Sequence, residues 1–389
     1  MDAATARMLT TPDGLALVDA LPQYDEQRSL ALGTSMREQG VDADLVAAVL
    51  TQSRLRADAS AKFGDFAAGM LFTQAGLEQA TRLEVAARHG ARFRDAGITR
   101  VADLTCGIGA DAMALSALGI SVTAVELDEA TALLADHNLR HWPDSQVVHA
   151  DSMQVAAHLD VDGFFADPAR RNARGRRHDP RDYSPALDDV LALREVHQAL
   201  GVKVGPAIPH EAIPSGVEAE WVSVNGSVVE AALWCGPLTS EPGHAALVIR
   251  DGQAHRLTGD THRADAGTLG EYLYEPDGAV IRAGLIGQVA EATGAHLIDE
   301  SIAYLTADAV IESAFMRGYR ILETVPLHAK AIATALAARN VGTVDIKKRG
   351  VDITPEQLRP KLKLRGSERL TLVLTRAQGK RLAVIAEPL

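Results

Sequence analysis

The stretch "VADLTCGIGADAMALSALGISVTAVELD", Val101 to Asp128, carries the densest chemistry in the chain. Asp103 closes a short apolar run, Gly107 and Gly109 follow in a turn, and a helix is predicted to start near Asp111. Glycines at such a turn let backbone pack against a ligand and take dihedrals that side chains forbid. Glu126 closes the next apolar run, 17 residues after Gly109, where a carboxylate can accept hydrogen bonds from ribose hydroxyls. Asp151 closes a third run in "VVHADSM", within reach of an adenine edge, and Asp167 follows a fourth in "DGFFADP". A bare Gly-x-Gly is a weak signal, but an ordered set of acidic residues at strand ends is not, because open α/β sheets bind ligands there. Ala112 stands where the third glycine of the dinucleotide fingerprint would fall, which argues against NAD. The expectation is an adenosine-containing cofactor.

Directly behind Asp167-Pro168 comes "ARRNARGRRHDPRDYSP". Arg170, Arg171, Arg174, Arg176, Arg177 and Arg181 fall within twelve positions of a chain whose formal net charge is -12. Arginines so placed can grip phosphates flanking a target nucleotide without reading its sequence. The far end of the chain is also basic. Phe315–Leu389 holds 15 Lys and Arg against six Asp and Glu, a formal +9, while the other 314 residues hold 24 against 45, a formal −21. Within that block "IKKRG" and "RPKLKLRG" place Lys347, Lys348, Arg349, Lys361 and Lys363 as phosphate contacts, because a polyanion responds to local potential rather than net charge. Aromatic residues are only 4% of the chain, so base-stacking platforms are not expected. His178 reads as an electrostatic bystander and Cys106 as a small buried residue in the glycine turn. No cysteine stands near Asp167, so covalent attack on a pyrimidine ring lacks a nucleophile.

The elements that must hold these residues follow from periodicity. Residues 1–97 read as an N-terminal helical domain, with "GVDADLVAAVLTQSRLRADASAKFG" and "GLEQATRLEVAARHGARFRDAG" at helical spacing. From residue 98 to 266 strands and helices alternate, which implies a parallel sheet with crossover helices, a Rossmann-like α/β fold. "VKVGPAIP", "AEWVSVNGSVVEAALWCG" and "HAALVIR" read as antiparallel strands closing that sheet, with a hairpin at Asn225-Gly226. Residues 267–314 read as a connecting segment with an Asp-Gly turn and a helix from Ala279. Residues 315–389 read strand, helix, strand, helix, strand, turn, strand, a small α+β domain. No run of 18 apolar residues occurs, and "MDAATARMLTTPDG" lacks the basic start and apolar core of a signal peptide. Two cysteines form no disulfide framework or zinc pattern. The expectation is a cytoplasmic protein without a metal site.

"DLTCGIGADAMALSALG", "AVELD", "HADSM" and "DPAR" resemble the motifs of class I S-adenosylmethionine-dependent methyltransferases. The opening D-x-x-C-G-x-G is similar to that of RNA guanine methyltransferases, and "DPAR" stands where those enzymes carry Asp-Pro-Pro or Asn-Pro-Pro. The whole chain resembles bacterial methyltransferases with a C-terminal THUMP-like domain, THUMP being an RNA-binding module. The resemblance implies S-adenosyl-L-methionine as cofactor, with Asp103 and the turn of Gly107 and Gly109 at the methionine part, Glu126 at the ribose, Asp151 at the adenine, and Asp111 also among the cofactor-binding residues. "GLEQATRLEVAARH" resembles a family element that closes over the cofactor, which puts Gln79 and Thr81 near the methionine carboxylate. Asp167 and Pro168 would sit at the methyl acceptor, Asp167 or a backbone carbonyl beside Pro168 receiving the hydrogen bonds of an exocyclic amine. Ala169 replaces the family's second proline, so the motif does not name the target base. The function expected is methylation of a base in structured RNA, tRNA or rRNA. The alternatives are a methyltransferase of the same fold acting on a small molecule or protein, and an RNA-binding protein without turnover. The oligomeric state stays open.

Overall fold

A computed structural model of the chain describes residues 1–169, 171–172, 175–176 and 180–389, with backbone alone for 171, 172, 175, 176 and 180. Arg170, Arg174 and Arg177 therefore lie outside the described residues, as do the side chains of Arg171 and Arg176. The chain divides into two compact units: one of residues 1–217 and 233–240, the other of residues 218–232 and 241–389.

The first unit is built on five strands. They are β1 (Arg100–Asp103), β2 (Ser121–Glu126), β3 (Gln146–His149), β4 (Gly163–Ala166) and β5 (Ala199–Val204). Their spatial order is β5-β4-β1-β2-β3, and every pair is parallel. Starting at β1, the chain moves out to β2 and β3, then returns to lay β4 and β5 on the other side. The sheet order therefore reverses between β1 and β4, and a crevice opens at the carboxyl ends of those two strands. This is the Rossmann-like class I methyltransferase sheet that the motifs imply. Helix Ala110–Ala117 links β1 to β2, and Glu129–Leu139 links β2 to β3. Phe164 and Phe165 of β4 are fully buried, as fits a central strand covered on both faces.

Helices fill the first hundred residues, among them Ala3–Leu9, Ala43–Phe63, Gln74–Gln79 and Leu83–Asp95. The apolar faces of the first two meet Ala130 and Leu134 of Glu129–Leu139 in one core with Val46, Val49 and Leu71. The N-terminal helices thus share a hydrophobic core with the sheet's own crossover helix.

β5 corrects one expectation. It pairs parallel with β4, Gly163 against Ala199, and is not an antiparallel closing strand. In the second unit Glu218–Val224 is likewise parallel to Gly243–Arg250, while Gln253–Gly259 runs antiparallel to Gly243–Arg250. Every residue of β5 and of Glu218–Val224 is buried, the continuous pattern of strands covered on both faces. Asn225 and Gly226, at φ 49° and 82°, form the hairpin turn expected of an Asn-Gly pair.

The second unit also holds a seven-stranded sheet. Its spatial order is His296–Asp299, Ile302–Ala307, Tyr272–Pro276, Met316–Pro326, Lys380–Pro388, Glu368–Ala377 and Val341–Lys348. Helices Ala329–Ala338 and Pro355–Leu362 cover it through Ile332, Leu336, Leu358 and Leu362. The region between residues 267 and 314 contributes three of those strands, and Asp277 caps helix Gly278–Ala283.

Candidate functional site

The turn after β1 is fixed by backbone bonds to its neighbours. Leu104 N–H donates to Phe165 O at 2.8 Å, and Cys106 N–H donates to Val125 O at 3.0 Å. Gly107 sits at φ 54°, and Gly109 at φ 87° caps helix Ala110–Ala117. Asn138 holds the turn from behind, donating to Ile108 O at 2.8 Å and to Leu71 O at 3.0 Å. Helix Gln74–Gln79 lies against the same turn: a Cβ on Gly76 would meet Ile108 Cγ2 at 2.5 Å, so only glycine allows the approach. Its last carbonyls are gathered by Lys62, whose Nζ donates to Leu77, Glu78 and Ala80 O at 2.6, 2.9 and 3.0 Å. Burial, then the charges of Arg82 and Lys203, pull the Lys62 ammonium down to about 8.

These elements enclose a cleft of about 470 Å³ within the first unit. Such a volume suits a small-molecule ligand, roughly 300–1,000 Å³ being usual. Gln79, Thr81, Gly107, Asp111, Glu126, Asp151 and Asp167 all line it. Asp103, Gly109 and Pro168 do not; Asp103 is 1% exposed and Pro168 is buried, both behind the wall. Ala169, Ser184 and Pro185 join Asp167 at the other end.

Glu126 accepts from Gly107 N–H at 3.0 Å and from Asp128 N–H at 2.9 Å, one bond to each carboxylate oxygen. Burial raises its carboxyl above the usual range, and those two donors only partly offset it. Asp151 caps the short helix Ser152–Val155 through Met153 N–H at 3.0 Å. Asp103 is pushed well above the carboxylate range by burial and by the charge of Asp111, then those of Asp167 and Glu126. Its Oδ2 is buried and takes no hydrogen bond from the described residues.

A chain of buried polar groups that sequence reasoning missed runs beside the cleft. Lys203 Nζ, on β5, donates to Asp167 Oδ2 at 2.6 Å and to Thr81 Oγ1 at 2.9 Å. The Thr81 hydroxyl in turn donates to Asp111 Oδ2 at 2.6 Å, and His89 Nδ1–H donates to Asp111 Oδ1 at 2.8 Å. Burial alone would raise the Asp111 carboxyl, but the hydrogen bond and charge of His89, then the Lys203 ammonium, hold it below its usual value. Asp167 N–H is tied to Thr105 Oγ1 at 2.6 Å, which joins the strand-end loops of β1 and β4. The one signal for Lys203 in the sequence is a lone charge inside the apolar run "ALGVKV".

The donors and acceptors fit an adenosine-containing ligand. Glu126 and Asp151 offer acceptors for hydroxyl and amino groups, and Gly107 presents bare backbone, since a Cβ there would meet nothing within 4 Å. Among the described residues no group of three or more His, Cys, Asp and Glu side chains is arranged to hold a metal ion.

The basic residues of the second unit divide. Lys348, Lys361 and Lys363 are exposed. Lys347 is ion-paired to Glu275 at 2.5 Å, and Arg349 donates to Ala303 O at 2.6 Å with its guanidinium 4.9 Å from the Tyr304 ring centre.

Residues 316–388 match the family described as THUMP domain-like, and residues 2–59 match a domain of unknown function, DUF8688. Two Mycobacterium tuberculosis proteins, from strains CDC 1551 / Oshkosh and ATCC 25618 / H37Rv, are each 34% identical to the chain over 333 residues, 83% of this chain and 90% of theirs. Both carry the name uncharacterized S-adenosylmethionine-dependent methyltransferase. The crystal structure of a putative methyltransferase from Porphyromonas gingivalis W83 shares the fold, with a TM-score of 0.72 at 21% identity over 94% of this chain and 99% of that one. With its parallel sheet, its glycine turn and this extent of identity, the chain belongs to the S-adenosylmethionine-dependent methyltransferases.

Proposed function

We propose that the protein methylates a base in structured RNA, tRNA or rRNA. The observation that carries this reading is the C-terminal domain: residues 316–388 match a THUMP domain-like family, and the block from Phe315 has a formal charge of +9. Positive potential there attracts a phosphate backbone whatever the net charge of the chain. Lys348, Lys361 and Lys363 are its exposed phosphate contacts, while Lys347 and Arg349 are invested in the fold. The arginines from Arg170 to Arg177 would hold phosphates beside the target nucleotide.

In this reading the cleft holds the cofactor, with Glu126 on the ribose hydroxyls, Asp151 on the adenine and the Gly107 turn against the methionine part. Gln79, Thr81 and Asp111 line the same pocket. When bound, S-adenosylmethionine supplies an electrophilic methyl on a sulfonium. The protein's task is then mainly alignment and exclusion of water. Asp167 is placed to receive the N–H of an exocyclic amine, and Thr105 and Lys203 fix where its backbone and carboxylate stand. Pro168, buried behind it, stiffens the loop rather than touching the acceptor.

Mass spectrometry of nucleosides from tRNA and rRNA of a strain lacking the gene tests this. One methylated nucleoside should disappear, and the purified protein with S-adenosylmethionine should restore it to that RNA. Identical nucleoside profiles in both strains would refute an RNA substrate.

A further inference from the structure

We propose that Lys203 is a specificity-determining residue that sets how the cleft discriminates between cationic S-adenosylmethionine and its neutral thioether product, S-adenosylhomocysteine. The inference rests on the reading that Asp167 faces the reacting centre, and it does not require the acceptor to be RNA.

The position is an expensive one for an ammonium. All six residues of β5 are buried, and Lys203 itself is 4% exposed. Burying a charge costs several kcal/mol unless partners compensate it, so an aliphatic side chain would serve a purely structural role better. Lys203 is compensated by groups that line the cleft: the Asp167 carboxylate at 2.6 Å and the Thr81 hydroxyl at 2.9 Å, which hands on to Asp111 at 2.6 Å. Its ammonium thus stands behind the wall, between two carboxylates of the wall.

Glu126, Asp111 and Asp167 line the same cleft. A cluster of that sign favours a sulfonium over a thioether by simple Coulomb attraction, strengthened where water is excluded. The donor is cationic at sulfur and the product is not, so every carboxylate there tightens the donor relative to the product. Lys203 draws the charge of Asp167 backward and limits that preference. An over-stabilised sulfonium is a ground state held too low, which slows rather than speeds transfer. The chain from Lys203 through Thr81 and Asp111 to His89 keeps the ammonium at this spot, because each hydroxyl or carboxylate along it is oriented by its neighbour.

The test is titration calorimetry on the full chain with S-adenosylmethionine and S-adenosylhomocysteine, for wild type, Lys203→Met, Asp167→Asn and the double variant. The readout is the ratio of the product Kd to the donor Kd, which a general loss of packing would not move in one direction. In Lys203→Met the ratio should rise roughly fivefold or more; in Asp167→Asn it should fall by about threefold or more. In the double variant, with both charges gone, it should return to within about twofold of wild type. A ratio unchanged in a Lys203→Met protein that still binds the donor overturns the proposal. If Lys203→Met gives no cooperative unfolding transition, Asp167→Asn decides alone, and an unchanged ratio there overturns it equally. Wild type that binds neither compound would overturn the cofactor reading of the cleft and the proposal with it.

Discussion

Gly107 and Gly109 stand two residues apart in left-handed backbone, at φ 54° and 87°, so alanine at either position brings a strain of roughly 1–2 kcal/mol. Their surroundings differ. Gly107 lines the cleft and a Cβ on it would meet nothing within 4 Å, whereas a Cβ on Gly109 would face Ala135 and Leu139 at 3.8 Å, an ordinary contact. The two variants should therefore lose similar stability, a fall in Tm of roughly 2–8 °C for a unit of this size. Their effect on S-adenosylmethionine should not be similar. The Gly107→Ala methyl projects into space the cofactor is proposed to fill, and overpacking of about 1–3 kcal/mol corresponds to roughly five- to 150-fold weaker binding. Gly109→Ala, with its methyl turned to helix Glu129–Leu139, should stay within about threefold of wild type. Thermal melts and calorimetry on the two proteins give all four numbers. Equal losses of affinity, or a Gly107→Ala protein that binds as wild type does, would show that the cofactor lies elsewhere than against this turn.

Glu126→Ala should weaken S-adenosylmethionine by about tenfold or more, since a hydrogen bond to a charged acceptor contributes roughly 1.5–3 kcal/mol. Because burial raises the Glu126 carboxyl, it takes up a proton at higher pH than an exposed glutamate. Wild-type affinity should then start to decline at a higher pH on acidification than an exposed glutamate would give, and Glu126→Ala should show a weaker decline in calorimetry. His89→Ala removes one donor from buried Asp111 and should lower stability by about 1–3 kcal/mol beyond the cavity it leaves, read by denaturant unfolding. Since His89 also holds Asp111 below its usual value, the part of the stability that comes from that ionised carboxylate is present above the unfolded value and lost as pH falls through the folded one. Changing Lys348, Lys361 and Lys363 together to Ala should reduce the slope of log RNA affinity against log salt by up to about three units, with S-adenosylmethionine binding untouched.

What the sequence discloses is what lies close together along it. The turn at Gly107 and Gly109 and the acids at the ends of β1, β2 and β3 fall within some fifty residues, and alternation of strand and helix puts them on one edge. The Lys203 chain is different: its members come from positions 81, 89, 111, 167 and 203, and only the fold makes them neighbours. A lone lysine in "ALGVKV" marks a buried charge without naming its partner. Strand direction was illegible for a related reason. Continuous burial is the mark of a parallel strand, but short apolar runs such as "HAALVIR" look the same read as either kind. The segment between residues 267 and 314 hid three strands because Tyr272–Pro276, which joins the other two to the sheet, finds its second partner, Met316–Pro326, only later in the chain.

That last pairing changes how RNA docking should be tested. Removing everything from Phe315 onward looks from sequence like removing a module. In the fold it would strip Met316–Pro326 from Tyr272–Pro276, where Leu273 opposes Tyr319, and leave three strands of a seven-stranded sheet with a newly bared edge. The formal +9 also overstates the charge on offer. Lys347 is held by Glu275, Arg376 by Asp299 and Arg349 by the Ala303 carbonyl, so part of the +9, including two of the five residues that the sequence assigns to phosphate, is spent on contacts within the fold. Loss of RNA binding on truncation would therefore report a broken sheet as readily as a lost docking surface. Neutralising Lys348, Lys361 and Lys363 avoids the ambiguity, because exposed lysines can be replaced with little effect on folding, and only an electrostatic role in docking links them to the salt slope.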